Sequence, residues 1–405
     1  MCGRRWHDRP FRARSRRYHA IRRDDGRDAI SMKHFTLRLA AALAVGLAPL
    51  PAPAASPDQL RIIPIDVEGG AATLFVTPQG HSLLIDTGFP AGLGGGKPGP
   101  AAGGVAPPPT STSAQRIVAA AKAAGLSRID HVLISHYHLD HIGGLRELVG
   151  AFPVGAFIDH GPNREMLPEA APERARTYAP ETKYRDYLAA IGNRPRRVMK
   201  PGDTLKMDDM LITAVNSDGQ IPARPIFGKG APGAGCARPN PPGVPDIGGE
   251  ENPRSLGIVA SWGKARILSL GDTTWEMENK LVCPRNLIGP VDMMMANNHG
   301  SANSGNPNLL NTVKPTVFVF NNGPTKGADE ATLANVAAAP FVKGMWQLHF
   351  ATRSPASNAP ADQIANLDGP DSIYPLQIVA SKDGTIAVTN PRTGATITYR
   401  QSPRH

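Results

Sequence analysis

The stretch His136-Tyr137-His138-Leu139-Asp140-His141 places four metal-ligating side chains within six residues. It follows His131–Ser135 (HVLIS), an apolar run that reads as a buried strand. On extended backbone, side chains two apart point to one side, which brings the His136 and His138 imidazoles together. Asp140 and His141 come where a helix opens, so they are offset in direction. The spacing therefore predicts two adjacent ligand sets: two nitrogens for one ion, and an oxygen plus a nitrogen for a second. Imidazole with carboxylate suits zinc, and less selectively manganese or iron. Gly143-Gly144 lets backbone approach closely behind the motif.

The elements that must position these groups are short apolar runs between turn residues. Strands are predicted at 60–67, 72–77, 83–85, 131–135, 156–159, 211–215, 256–262, 266–270, 291–295 and 316–320. A terminal meander is predicted at 376–380, 385–389 and 395–399, with turns at Asp383-Gly384 and Thr393-Gly394. Helices are expected at 114–125 and 142–149, and scattered helical content at 162–191. Strands dominate and helices sit between some of them, the mark of an α+β layered domain. Two Gly/Pro-rich tracts, 89–113 and 221–254, read as loops. Motifs lie on both sides of each loop, so residues 55–405 read as one domain. Two carboxylates also end apolar runs. Taken alone, Asp272 reads as a helix N-cap and Asp86, before Gly88, as a turn former. His349 reads as an ordinary half-buried histidine.

The histidine motif resembles H-x-H-x-D-H of the metallo-β-lactamase fold superfamily. Further segments resemble, in order, the hydrolase domain of the DNA-uptake competence proteins (ComEC-like). They are Ile65-Asp66-Val67 with Gly70–Leu74, Leu84-Ile85-Asp86-Thr87-Gly88, Glu251–Leu256, Leu268–Asp272 and Asn298-His299-Gly300-Ser301. Together they cover roughly residues 60–335. The resemblance implies a four-layer αββα sandwich with one or two metals, most simply zinc, between the sheets. It implies metal ligands His136, His138, Asp140, His141, Asp272 and His299, with Asp272 bridging both ions. Asp140 and Asp272 become the catalytic carboxylates that orient a metal-activated water. Asp86 becomes the carboxylate that orients the ligands, and Asn298, Ser301 and Asn303 candidate substrate contacts. Three departures stand out. The histidine usual after the strand at 211–215 is absent, which leaves Asp218 or His160 as candidate replacements. Asn298 stands where the family has a histidine. The family's membrane channel is missing, so an uptake role does not carry over.

Hydrophobic residues at 41% supply a core, which excludes global disorder. Aromatics at 5% argue against binding single-stranded nucleic acid by stacking. The net charge of +10 is uneven: residues 1–54 hold twelve of the basic and four of the acidic residues, leaving the remainder near +2. No stable nucleic-acid partner is expected on that balance. Residues 1–31 read as a basic extension ahead of the true start. Residues 32–54 read as a signal peptide: Lys33 and Arg38, an apolar run at 39–50, then Ala52-Pro53-Ala54. A periplasmic or secreted protein without a membrane span in its mature chain is the expectation. Cys236 and Cys283 then permit one disulfide, with two free thiols as the alternative. The function expected is metal-assisted hydrolysis of a phosphodiester or related small-molecule ester. Lactone, amide or β-lactam hydrolysis on the same centre is one alternative; a non-catalytic metal- or ligand-binding protein is the other.

Overall fold

Val317–Phe320 (VFVF) is apolar at every position because both faces of the strand are covered. Val317 and Val319 meet the opposite sheet, whereas Phe318 and Phe320 meet a helical layer. Met293 and Met295 are separated from Met294 in the same way. The computed structural model describes residues 56–94, 111–236, 251–367 and 373–400. All of them fall in the compact unit Ala54–His405. The basic stretch 1–31, the expected signal peptide 32–54, and the loop segments 95–110 and 237–250 lie outside the described residues.

The strands are β1 Gln59–Pro64, β2 Thr73–Val76, β3 Ser82–Ile85, β4 Ile129–Leu133, β5 Val154–Asp159, β6 Arg196–Val198, β7 Thr204–Met207, β8 Met210–Asn216 and β9 Gly257–Trp262. They continue with β10 Ala265–Ser269, β11 Met293–Met295, β12 Val317–Phe320, β13 Gly344–His349, β14 Ile364–Asn366, β15 Gln377–Ser381, β16 Ile386–Thr389 and β17 Thr396–Tyr399. One sheet has the order β17-β16-β15-β1-β2-β3-β4-β5-β6, the other β14-β13-β12-β11-β10-β9-β8-β7. Pairing is parallel from β3 to β6 and from β10 to β14, and antiparallel elsewhere. The terminal meander docks on β1, with Leu60 opposite Ala380.

The helices are α1 Ser113–Ala123, α2 Leu139–Ile142, α3 Leu145–Ala151, α4 Glu173–Tyr178, α5 Pro180–Ile191, α6 Trp275–Val282, α7 Pro307–Val313 and α8 Glu330–Ala338. Between the sheets, Ile62, Phe75, Ile85 and Leu133 pack with Ile258, Trp262, Met295 and Trp346. Outside the first sheet, Leu74, Leu84 and Val132 meet Ile117, Leu148 and Ile191 from α1, α3 and α5. Outside the second, Leu268, Met294 and Phe318 meet Leu281, Leu309 and Leu333 from α6, α7 and α8. The result is an αββα sandwich. Truncating one of these side chains to Ala costs about 2–5 kcal/mol, a large part of a domain's stability.

The helix expected at 142–149 is split. A Cβ on Gly144 would lie 2.2 Å from the Thr87 carbonyl oxygen, so the chain turns at Gly143-Gly144 against the loop after β3. The 162–191 stretch holds two defined helices, the second opening with Pro180 at its first position. Among the described residues, no helix is long and apolar enough to cross a membrane.

Candidate metal centre

The chain leaves five strands at one edge of the sandwich, and each exit delivers a functional side chain. β3 leads to Asp86, β4 to Ser135 and His136, β10 to Asp272, β11 to His299 and β12 to Lys326. These are carboxyl ends of strands that pair in parallel, where crevices open in such sheets. Local backbone serves the same end. Asp86, Asn298 and His299 have φ of 61°, 45° and 55°, left-handed values held here by hydrogen bonds. Asn298 N–H donates to the Gly271 carbonyl (3.0 Å), and Asp86 N–H to the Leu133 carbonyl (2.8 Å).

All six proposed ligands converge. His141 Nε2 lies 3.1 Å from Asp272 Oδ1, 3.4 Å from Asp140 Oδ2 and 3.2 Å from His299 Nε2. His299 Nε2 is 3.0 Å from Asp140 Oδ2 and 3.6 Å from Asp272 Oδ2. Donor atoms of Asp140, His141, Asp272 and His299 all lie within 4.8 Å of one another. Beside them, His136 Nε2 stands 3.0 Å from His138 Nδ1 and 4.0 Å from Asp272 Oδ2. Asp272 thus faces both sets. His136, His141 and His299 are buried, and His138 is on the open side.

The outward nitrogens decide what the inward ones offer. His141 Nδ1 meets Asp86 Oδ2 at 2.8 Å, and a carboxylate only accepts, so Nδ1 carries the proton. His299 Nδ1 meets the Asn321 carbonyl (3.1 Å), and His138 Nε2 meets Glu165 Oε2 (3.2 Å), with the same consequence. Ser135 Oγ donates to Asp86 Oδ2 (2.7 Å), which leaves it to accept from His136 Nδ1 (3.1 Å). In the neutral rings four lone pairs therefore point inward, together with two carboxylates. Acceptors this close repel unless a cation lies among them, so the donor set fits one or two divalent ions. Lys326 Nζ, lying against Asp140 Oδ2, brings a positive charge to the same rim.

The electrostatics agree. Burial opposes charge on Asp272, yet His141 and His299 hold its carboxyl well below the usual range. Burial likewise opposes charge on Asp140, and Lys326 with His141 holds it well below. Burial would depress His141, but Asp272, Asp140 and Asp86 hold it well above the ordinary imidazole value. The carboxylates favour positive charge at this point, as proton or as metal. His136 is pushed well below by burial and by His141 and His138, so its ring stays neutral and able to ligate.

The remaining predicted residues take other places. His160 Nε2 pairs with Glu251 Oε2 at 3.1 Å and its ring packs on Tyr137. Asp218 is engaged by Arg254 (2.8 Å) and Arg164 (3.4 Å). Asn298 Nδ2 donates to Asn303 Oδ1 (2.9 Å), which makes these two each other's partners. Ser301 N–H donates to the Asn298 carbonyl, so it shapes the His299 loop. Two further residues at the site, Lys326 and Glu165, are not singled out by the sequence reading. Lys326 follows an apolar strand within Gly323-Pro324-Thr325-Lys326-Gly327, the same strand-then-polar-loop signal that marks His136. Nothing local marks Glu165.

The family model described as "Metallo-beta-lactamase superfamily" matches residues 65–235. A hydroxyacylglutathione hydrolase from Alkalilimnicola ehrlichii is 44% identical over 55 residues. That stretch is 14% of this chain and 20% of the relative, so the chain matches only a fifth of that protein's length. Solved structures with likeness include Tm1679, a metal-dependent hydrolase of the beta-lactamase superfamily, at 15% identity and TM-score 0.41 over 71% of this chain and 95% of that one. The metallo-beta-lactamase fold protein YhfI from Bacillus subtilis gives 13% and 0.37 over 72% and 96%. CmlA, a diiron beta-hydroxylase from Streptomyces venezuelae, gives 17% and 0.34 over 65% and 45%. TM-scores this low carry no weight for function. With the two sheets, the helical layers outside both and the matched family model, the chain has the metallo-β-lactamase superfamily fold and carries a candidate metal site at the edge where its two sheets meet.

Proposed function

We propose that the protein is a metal-dependent hydrolase of phosphodiesters or related anionic esters, acting in the periplasm or outside the cell. The observation that carries this reading is the set of four imidazole lone pairs and two carboxylates gathered at two adjacent points, with Asp272 facing both. His136 and His138 would hold one ion, with Asp140, His141 and His299 holding the other and Asp272 between them. Zinc fits these donors, as do manganese and iron. A divalent ion bound there supplies Lewis acidity, lowering the pKa of water toward neutrality and steadying negative charge.

The chain's own residues do the rest. Asp140 or Asp272 accepts the proton of the attacking water and orients it. Asp86 and Glu165 fix the ring nitrogens of His141 and His138. Lys326, a cation on the rim beside Asp140, meets an anionic substrate. The ordered likeness to the competence-type hydrolase domain supports a phosphodiester. The hydroxyacylglutathione hydrolase likeness supports a second reading, thioester cleavage on the same centre. Export is supported by the Cys236–Cys283 disulfide, a bond kept in oxidising compartments.

Zinc- or manganese-loaded protein should turn over bis-p-nitrophenyl phosphate faster than nitrocefin or a hydroxyacyl-glutathione thioester. Asp272→Ala should abolish the turnover. Preference for the thioester would establish the second reading. No turnover of any of the three by metal-loaded protein would favour a non-catalytic binding protein.

A further inference from the structure

His299 reaches the centre from a loop whose conformation needs outside support. Asn298, His299 and Gly300 are successive left-handed residues, with φ of 45°, 55° and 82°. Non-glycine residues keep such backbone only where their surroundings hold it. The loop is closed from behind by α6. Glu278, on that helix, is fully buried and accepts hydrogen bonds from both ends of the loop. Asn297 Nδ2 donates to its Oε1 (2.5 Å), Gly305 N–H to Oε1 (2.9 Å) and Asn306 N–H to Oε2 (2.6 Å). Among the described residues, every group acting on this carboxylate is an uncharged amide. A buried carboxylate without an ion partner is costly, and three donors aimed at it are what offset that cost.

We infer that Glu278 is the positioning residue for His299: its carboxylate ties Asn297 to Gly305 and Asn306 and so sets the inward aim of His299 Nε2. The inference rests on the metal-centre reading above. Its specific consequence is selective. Glu278 touches none of the groups around His136 and His138, so its loss weakens the ion held by His299 and spares the other. Burial pushes the carboxyl up to about 7, against the pull of the three donors. Protonation would turn one acceptor oxygen into a donor facing N–H groups, so the loop loosens as pH falls through neutrality.

The test is zinc titration of the full mature chain by calorimetry, with metal content by mass spectrometry, for wild type, Glu278→Gln and Asn297→Ser at pH 8 and pH 6. The expected result is that the ion at His136 and His138 is unchanged and the second ion, the one held by His299, is weakened about tenfold or more in Glu278→Gln. Asn297→Ser, which removes one donor, should shift the second ion in the same direction by less. Wild type should lose affinity for the second ion between pH 8 and pH 6 more steeply than Glu278→Gln does. A purely structural role would lower Tm and leave both ion affinities and their pH dependence alone, which would overturn the inference. If Glu278→Gln does not fold, an unchanged second ion in Asn297→Ser overturns it equally. Failure of wild type itself to bind zinc would overturn the metal-centre reading, and this inference with it.

Discussion

Each candidate imidazole ligand is aimed by a second residue, and Asp86 does this most heavily. Its Oδ1 accepts the Ser135 N–H (2.7 Å), while Oδ2 accepts Ser135 Oγ and His141 Nδ1. An Asn at this position cannot accept at both ends. Asp86→Asn should therefore weaken zinc binding about 10- to 100-fold; calorimetry showing wild-type affinity would remove Asp86 from the account. Lys326 is tested by Lys326→Met, which keeps an unbranched stem and deletes the charge that lies over the Phe89 ring. KM for bis-p-nitrophenyl phosphate should rise about tenfold, equivalent to ~1.4 kcal/mol, with kcat little changed. A fall in kcat at constant KM would argue instead for a role in the chemistry. The histidine motif is legible in sequence because chance seldom sets four ligands within six residues after an apolar strand. Lys326, Glu165 and Glu278 are not. A lone Lys or Glu in polar sequence looks like solvated surface until the topology brings it to the site.

At the scale of elements, the site depends on how strand ends from the two sheets are held together. Asp66, just after β1, meets His349, the last residue of β13, at 2.7 Å. Arg116 of α1 completes the cluster, with 3.0 Å to Asp66 and 2.8 Å to Glu68. His349 is thus not the half-buried histidine its sequence surroundings suggest; it is buried and bridges the sheets. Burial opposes its charge, but the Asp66 carboxylate and then Glu68 hold its pKa above the ordinary value. A raised folded-state pKa gives stability that is complete below the unfolded value of about 6.5 and is lost as pH rises through the folded value. Tm of wild type should therefore fall across that range more steeply than Tm of His349→Gln, measured by calorimetry from pH 5.5 to 8.5. Equal slopes would contradict the clamp. The strands feeding the site are legible because burial on both faces leaves unbroken apolar runs. Helices α7 and α8 are not: they are short, and their capping residues Asn306 and Asp329 sit in stretches that read as polar loop.

Across the whole molecule, two sheets share one core, and only that arrangement brings residues 136–141 to residues 272 and 299. Sequence order of the motifs foretells the sandwich; the closing of the His299 loop by α6 comes only from three dimensions. Cys236 and Cys283 form a disulfide with Cα atoms 5.4 Å apart, tying the second Gly/Pro-rich tract to the end of α6. The separation of 47 residues makes this a sizeable closed loop. Replacing both with Ser should cost about 2–4 kcal/mol, read as a lower denaturant midpoint. An unchanged midpoint would show that the bridge adds nothing to the fold. The central claim is that six side chains, from the 136–141 segment and from the ends of β10 and β11, form a metal centre. Diffraction from zinc-grown crystals tests it most directly, with data collected on both sides of the zinc absorption edge. The account predicts an anomalous peak about 2.0–2.2 Å from His141 Nε2, His299 Nε2 and oxygens of Asp140 and Asp272. A second peak should lie at His136 Nε2 and His138 Nδ1. Crystals with zinc in the solvent and no peak at either set would contradict it.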